Sequence, residues 1–496
     1  MIAGQRISPQ AVTMVLLPIG LACIVYYVMH SSMINFFTIC LIPFFILLLI
    51  LLLILSIRKP AICIYILFAF NYFFMPWYRY SEGSGLSVWS DILWWMALII
   101  IIINSVIYNN IPWKRAFNLL TIGGAIWAVY TAAEVANPSA VTEAWIFSRN
   151  LIYNTLLVSL LTVLLVTSYK QVHRLLIMLS IFSLIAVVKT LVQRYIGFDD
   201  TEMTWLMESE AYKTHLLPQG IRYFSIFSDA GNFGSNMGFI ATICTIMTIF
   251  TRNRNLKIYY FFVALSSTYA MFMSGTRGAV FVPLGGLLLF SLISKNIKLM
   301  FFSGILGICI YVFFAHTYIG ESHQMISRMR TAFRPSKDAS FNVRMENQKQ
   351  LAEYMKYKPF GEGLGLGGVE ARKYAIRLTT QIPNDSTYVK IWTETGIIGI
   401  ILYLGIYISS LVWGCYLIMF KIKNKELQGL LTAIACGIFG MMVSAYGNAF
   451  FTQFPSAILI IIFLAILQNG RYIDENLVKN KKNINSSINK TKSIDV

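Results

Sequence analysis

Residues 92–108, ILWWMALIIIIINSVIY, run through seventeen positions with no acidic or basic side chain. A helix needs about 20 mostly apolar residues to cross a bilayer, and this stretch nearly supplies them alone. Comparable runs lie at 11–29, 34–57, 60–78, 117–136, 150–168, 175–197, 223–250, 258–275, 278–294, 299–317, 395–420, 429–446 and 454–468. Composition agrees. Apolar residues make up 57% of the 496 and charged ones 12%, with a mean hydropathy of +0.65. A soluble domain carries roughly 25% charged residues, so a water-soluble enzyme of this size could not clothe its surface. Disorder, coiled coil and a small disulfide scaffold are excluded by the same figures. The expected fold is an all-α polytopic membrane protein of about 14 transmembrane helices with one large extracytoplasmic loop. All seven cysteines lie in apolar segments without a CxxC, so neither disulfides nor structural zinc is implied.

The net charge of +18 would suggest a nucleic acid partner in a soluble protein. In a membrane protein it reports topology, because Lys and Arg favour cytoplasmic loops. With a cytoplasmic start, the inner connections hold Arg6, Arg58-Lys59, Lys114-Arg115, Lys170 with Arg174, Arg252 to Lys257, Lys295 with Lys298, and Lys421 to Lys425. One outward loop instead collects Asp199, Asp200, Glu202, Glu208 and Glu210. Both termini are therefore expected inside, with an even number of spans. The first apolar run, following Arg6, reads as a retained anchor rather than a removed signal. The segment 471–496, rich in Lys, Asn and Ser, reads as a disordered basic cytoplasmic tail. The predicted organisation is 1–220 as N-terminal transmembrane helices, 221–470 as a core, and 471–496 as the tail.

Residues 318–385 form an outward loop far longer than the other connections, and loops of that length are usually functional. It holds eleven basic residues against seven acidic ones. Ser340 is placed to cap a helix over 341–357 carrying Arg344, which Pro359 would stop. The run 361-GEGLGLGG-368 reads as flexible and backbone-exposed, serving either as a hinge or as a cradle for a phosphate or sugar. It lacks the following residues of a nucleotide fingerprint.

Two arginines outside the loop stand out. Arg222 opens 222-RYFSIFSDAGNFGSN-236, and Arg277 lies in the tight turn 273-MSGTRGAV-280. An arginine at the membrane face either snorkels to headgroups or faces a cavity or partner, and its fork suits two phosphate oxygens. Lys189, Arg194 and Glu134 read as snorkelling or pairing between helices, and Asp199-Asp200 as solvated. In 383-PNDSTYVKIWTETGIIG-399, Asp385 is either an N-cap or an outward carboxylate able to accept a proton from a hydroxyl.

Taken together, these segments resemble the O-antigen ligase and O-antigen polymerase (Wzy-type) superfamily of bacterial surface-polysaccharide assembly. The likeness rests on 222-RYFSIFSDAGNF-233, on 274-SGTRGA-279, and on 359-PFGEGLGLGG-368 followed by 385-DSTYVKIWTETGIIG-399. It covers residues 220–420 or so. The resemblance implies a metal-independent, inverting glycosyltransferase in the bacterial inner membrane, its active site facing the periplasm and using no cofactor. Its partners would be an undecaprenyl-pyrophosphate-linked saccharide, a glycan acceptor, the lipid bilayer and other polysaccharide-assembly proteins, with no nucleic acid. Catalysis would fall to Asp385, Arg277 and Arg222; Arg344, Gly363, Gly365, Asn384, Tyr388 and Glu394 would bind substrate. Where ligases carry a His-Asn pair this chain has Asp385-Ser386, which favours polymerisation of repeat units over transfer of a chain to lipid A core. A lipid-linked oligosaccharide transporter is the more distant alternative, and would want internal repeats that the sequence does not display.

Overall fold

A computed structural model of the chain describes residues 52–81, 86–217, 220–295, 297–321, 324–333 and 339–479. The expected span at 11–29 and most of that at 34–57 lie outside these residues, as do Cys23 and Cys40. Among the described residues the architecture is helical, and its only sheet is a two-stranded antiparallel pair in which Leu216 faces Ile221. Among the described residues eight helices are long and apolar enough to cross a membrane, or ten if two bent pairs each count as one span; Arg277–Ile293 and Met300–His316 are shorter apolar helices. The bent pairs are Ala61–Tyr72 with Phe74–Tyr80, and Ser456–Gln468 with Gly470–Lys479.

Burial follows the solvent each face meets. The helix Ser456–Gln468 is apolar on every side and buries each residue from Ile458 to Leu467, which places it at the centre of the bundle. Ala230–Phe250 and Lys425–Ser444 are buried along most of their length and pack on each other. Peripheral helices leave large apolar side chains bare, Val106 at 80%, Val129 at 72% and Leu265 at 62% exposed. So much uncovered hydrocarbon is what lipid, rather than water, would solvate. Helices Phe281–Ile293 and Lys425–Ser444 touch through glycine, since a Cβ on Gly285 would stand 3.1 Å from the Gly440 Cα. Small residues at such contacts let backbones approach within van der Waals range, which is how helices gain packing energy in lipid.

Four sequence expectations change. Arg222 does not open a helix: residues 222–229 are irregular, and helix Ala230–Phe250 begins only after Asp229, whose Oδ1 accepts the Gly231 and Asn232 N–H groups. Ser340 lies inside helix Ala339–Met355 rather than capping it. Asp199 is solvated only in part: Asp200 beside it is exposed as expected, but Asp199 also caps helix Asp200–Glu208 in a capping box and pairs with Lys189 at 2.9 Å, next to the buried Glu202. The tail is helical through Lys479, where Ile473 is buried and Asp474 accepts the Lys423 and Asn424 N–H groups. Residues 480–496 lie outside the described residues.

Candidate functional site

The 222–229 segment is held by what lies beneath it. Arg79 donates to the Phe227 carbonyl at 2.7 Å, with its guanidinium 4.4 Å from the Trp205 ring centroid and 4.6 Å from that of Phe224. Gln193 accepts the Ser225 N–H at 3.0 Å. Below, Asn236 donates to Ser456 Oγ at 2.6 Å and Asn232 to the Phe454 carbonyl at 2.8 Å, joining the start of helix Ala230–Phe250 to the central helix. Most of these buried polar groups have partners, with Arg79 Nε and Asn236 Oδ1 left over, and the bonds they make fix the floor of the site.

On that floor stands Arg222. Its backbone N–H donates to the His215 carbonyl at 2.8 Å, one guanidinium nitrogen to the Thr214 carbonyl at 3.2 Å, and the other to Thr276 Oγ1 at 3.0 Å. Thr276 passes its own proton to the Ala230 carbonyl at 2.8 Å. His215 is buried, accepts the Ala230 N–H at Nε2 over 3.3 Å and lies 2.9 Å from the Ala211 carbonyl through Nδ1. That pairing assigns the proton to Nδ1, and burial pushes the imidazole pKa down to about 4.

Gly275 explains how two arginines meet. It has φ +58, a left-handed conformation that glycine adopts without strain, and a Cβ there would stand 3.3 Å from Arg222 Cγ and 3.4 Å from Arg328 Cδ. The turn before Arg277 is thus flanked by Arg222 and Arg328, which carries a buried Nε without a hydrogen-bond partner. Burial, then the charges of Arg222 and Arg277, depress the Arg328 pKa to about 10. Burial lowers Arg222 as well; Asp229 and Asp385 oppose the shift while Arg277 and Arg344 reinforce it. Arg344 in turn acts on Arg277. Arg222, Arg277, Arg328 and Arg344 therefore converge with Asp229 and Asp385, two positive charges in excess. Cations are gathered where repulsion is unfavourable unless an anion joins them.

Asp385 is not the helix cap. Ser386 occupies that position, while Asp385 Oδ2 takes the Arg344 Nε at 3.0 Å. The two side chains are 38% and 44% exposed, so the pair is weak, at most about 1 kcal/mol, and open to exchange with a ligand. Arg222, Arg277, Arg344 and Asp385, singled out from sequence, belong to one electrostatic cluster. Arg328 was legible only as one of many loop cations.

The remaining candidates form a second, interior group. The glycine run is buried instead of backbone-exposed, because it threads between the 140–148 segment and helix Thr387–Phe420. Gly363 donates its N–H to the Glu394 carbonyl at 3.0 Å; a Cβ on Gly363 would meet Ala140, and one on Gly365 would meet Ser148 and Ala144. Gly396 breaks the helix with φ 68 and ψ −170, and a Cβ there would fall 2.0 Å from the Pro359 carbonyl oxygen. Glu394 is 1% exposed, close to Asn384 beside Gly367, and neither Glu394 Oε1 nor the Asn384 side-chain amide has a hydrogen-bond partner. Tyr388 spends its hydroxyl on the Met442 carbonyl at 2.5 Å. Sequence reading passed over Glu362, fully buried and paired with both Lys358 and Arg377. Among the described residues no three His, Cys, Asp or Glu side chains gather as a metal set.

Residues 261–404 match the family model described as O-antigen ligase. This match supports placing the chain in the O-antigen polymerase and ligase superfamily that its motifs resemble. No curated relative matches the chain.

Proposed function

From that family placement, we propose that the chain transfers a saccharide from undecaprenyl pyrophosphate to a glycan hydroxyl on the periplasmic side of the inner membrane. The reading extends repeat units of a surface polysaccharide, O-antigen, capsule or exopolysaccharide, and proceeds without a metal and with inversion. The observation that carries it is the arginine-rich end of the bundle, where Arg222 and Arg328 close on the Gly275 turn that leads into Arg277, and Arg344 holds Asp385 at 3.0 Å.

The charges fit the chemistry. A lipid pyrophosphoryl saccharide carries one negative charge on each phosphate, matching the excess of two. When the anomeric carbon–oxygen bond breaks, the departing pyrophosphate gains a further charge. Arg222, held by Thr214 and Thr276, is already oriented and need not reorganise as that charge develops, and Arg328 beside Gly275 and Arg277 on its turn add positive charge. Asp385 exchanges Arg344 for the acceptor hydroxyl, orients it, and accepts its proton as oxygen attacks the anomeric carbon opposite the leaving group. Arg344 is then free for the donor. Gly363, Gly365, Asn384 and Glu394 act beneath the surface, shaping the loop that carries Asp385, and Tyr388 braces the same helix.

The ligase reading keeps its support in the family description matched at 261–404. Deletion separates the two. Loss of long chains with a single repeat still attached indicates a polymerase, whereas full-length chains accumulating on the carrier lipid indicate a ligase. Normal polysaccharide from a strain whose Arg277→Ala and Asp385→Ala proteins insert at wild-type abundance would remove the proposed site.

A further inference from the structure

The opposite end of the molecule holds a basic cavity that the transfer reaction does not use. It has a volume of about 910 Å³ and is lined by Lys114, Arg115, Trp413, Tyr416, Lys421 and Tyr472 among others. Small-molecule sites occupy roughly 300–1,000 Å³. Beyond its break at Gly396, helix Thr387–Phe420 runs on to Trp413 and Phe420, and at 1.5 Å per residue that part alone separates the cavity from the Asp385 end by roughly 30 Å. That is the thickness of a bilayer's hydrocarbon core.

Charge and polarity define what fits. Glu475 is the only acidic lining residue, and Arg471 pairs with it at 2.9 Å. Lys114, Arg115 and Lys421 are left without a carboxylate partner among the described residues. Arg115 Nε and Nη1 are buried without hydrogen bonds, and its guanidinium lies against the Tyr472 ring. Buried donors of a cation without acceptors are costly until an anion supplies oxygens. The rim is apolar: Phe117 is 81%, Leu119 45% and Trp413 44% exposed. Trp and Tyr with Lys and Arg are the side chains that settle at a headgroup boundary. A site with basic walls and a rim of lipid-facing hydrocarbon suits a ligand that is anionic at one end and greasy at the other.

We infer that this cavity binds the headgroup phosphate of an anionic phospholipid in the cytoplasmic leaflet. Arg115 and Lys421 grip the phosphate, Lys114 adds charge, and the acyl chains lie along Phe117, Leu119 and Trp413. The bound lipid bridges helix Gly470–Lys479 to the 113–119 segment and the end of Thr387–Phe420.

The test uses the full chain purified in detergent, with native mass spectrometry and thermal unfolding as phosphatidylglycerol, phosphatidylcholine or inorganic phosphate is added. Phosphatidylglycerol is expected to bind and raise the unfolding temperature, and phosphatidylcholine to do neither. Arg115→Gln and Lys421→Gln should each weaken phosphatidylglycerol binding about fivefold, the size of one juxtamembrane cation's contribution. Lys170→Gln, an exposed lysine outside the cavity, should leave it unchanged. Equal binding of the two lipids, or undiminished phosphatidylglycerol binding by a folded Lys421→Gln protein, overturns the inference. Equal stabilisation by inorganic phosphate alone also overturns it, because it identifies a soluble anion as the ligand.

Discussion

Arg328→Gln separates an anion site from a structural arginine, because the two predict opposite signs. Burial and the neighbouring Arg222 and Arg277 lower the Arg328 pKa from 12.5 to about 10. At 1.36 kcal/mol per unit that costs the folded cation about 3 kcal/mol in full, and roughly 1–2 kcal/mol once water screens a partly exposed group. The group keeps its proton below pH 10, so the cost applies throughout the working range. Glutamine is similar in length and uncharged. The variant should therefore unfold at a temperature roughly 1–4 °C higher than the parent without donor. Its transfer rate should fall by about 10²–10³, the usual loss when one preorganised donor to a developing oxyanion is removed. Thermal unfolding in detergent and transfer from a lipid-linked saccharide in reconstituted vesicles give the two readings. A less stable protein, or one that transfers at the parental rate, refutes the argument that repulsion is tolerated here for the sake of an anion.

Arg222→Lys keeps a charge but not the fork that reaches both Thr214 and Thr276, so transfer should drop about tenfold with protein abundance unchanged, read from polymer length on gels. Asp385→Asn keeps the shape but not the proton acceptor; initial rates should fall by about 10²–10⁴, and donor affinity should not. Gly396→Ala drives a Cβ into the Pro359 carbonyl at positive φ, and should cost at least 2–3 kcal/mol, seen as a fall in unfolding temperature or loss of monodisperse protein. His215 has a folded pKa depressed to about 4 from 6.5, so the unfolded chain takes up its proton first as pH falls. Its contribution to stability is complete above pH 6.5 and declines towards pH 4, by up to about 3 kcal/mol, and His215→Asn should flatten that slope of unfolding temperature against pH.

Hydropathy disclosed the helical, membrane-type architecture because an apolar run long enough to span lipid is a local property. Each expected span lying wholly among the described residues contains helix, though 60–78 is a bent pair, 223–250 becomes helical only at Ala230, and Phe281–Ile293 is short. The arginine turn was visible for a related reason: three polar residues between two apolar runs leave a guanidinium nowhere else to go. What could not be seen is pairing between distant loops. Nothing periodic links Arg328 to Arg222, or Asp385 to Arg344, and a carboxylate before a helix looks like a cap until its neighbours are known. The glycine run looked exposed because glycine supplies no apolar side chain, yet its missing side chains are what allow it to be buried. Helix Gly470–Lys479 escaped notice because Lys and Asn dominate the segment's composition, while its order comes from Ile473 and Asp474 docking on the bundle.

The break at Gly396 also constrains how this chain can vary. A methyl on Gly396 would sit 2.5 Å from the Gly361 nitrogen, and one on Gly361 would sit 2.6 Å from the Gly396 nitrogen, so each glycine vacates the room the other's backbone occupies. The two are 35 positions apart in sequence yet constitute a single mechanical joint. Natural variants of this protein should therefore keep both glycines or replace the joint as a whole, and an isolated change at either should be rare.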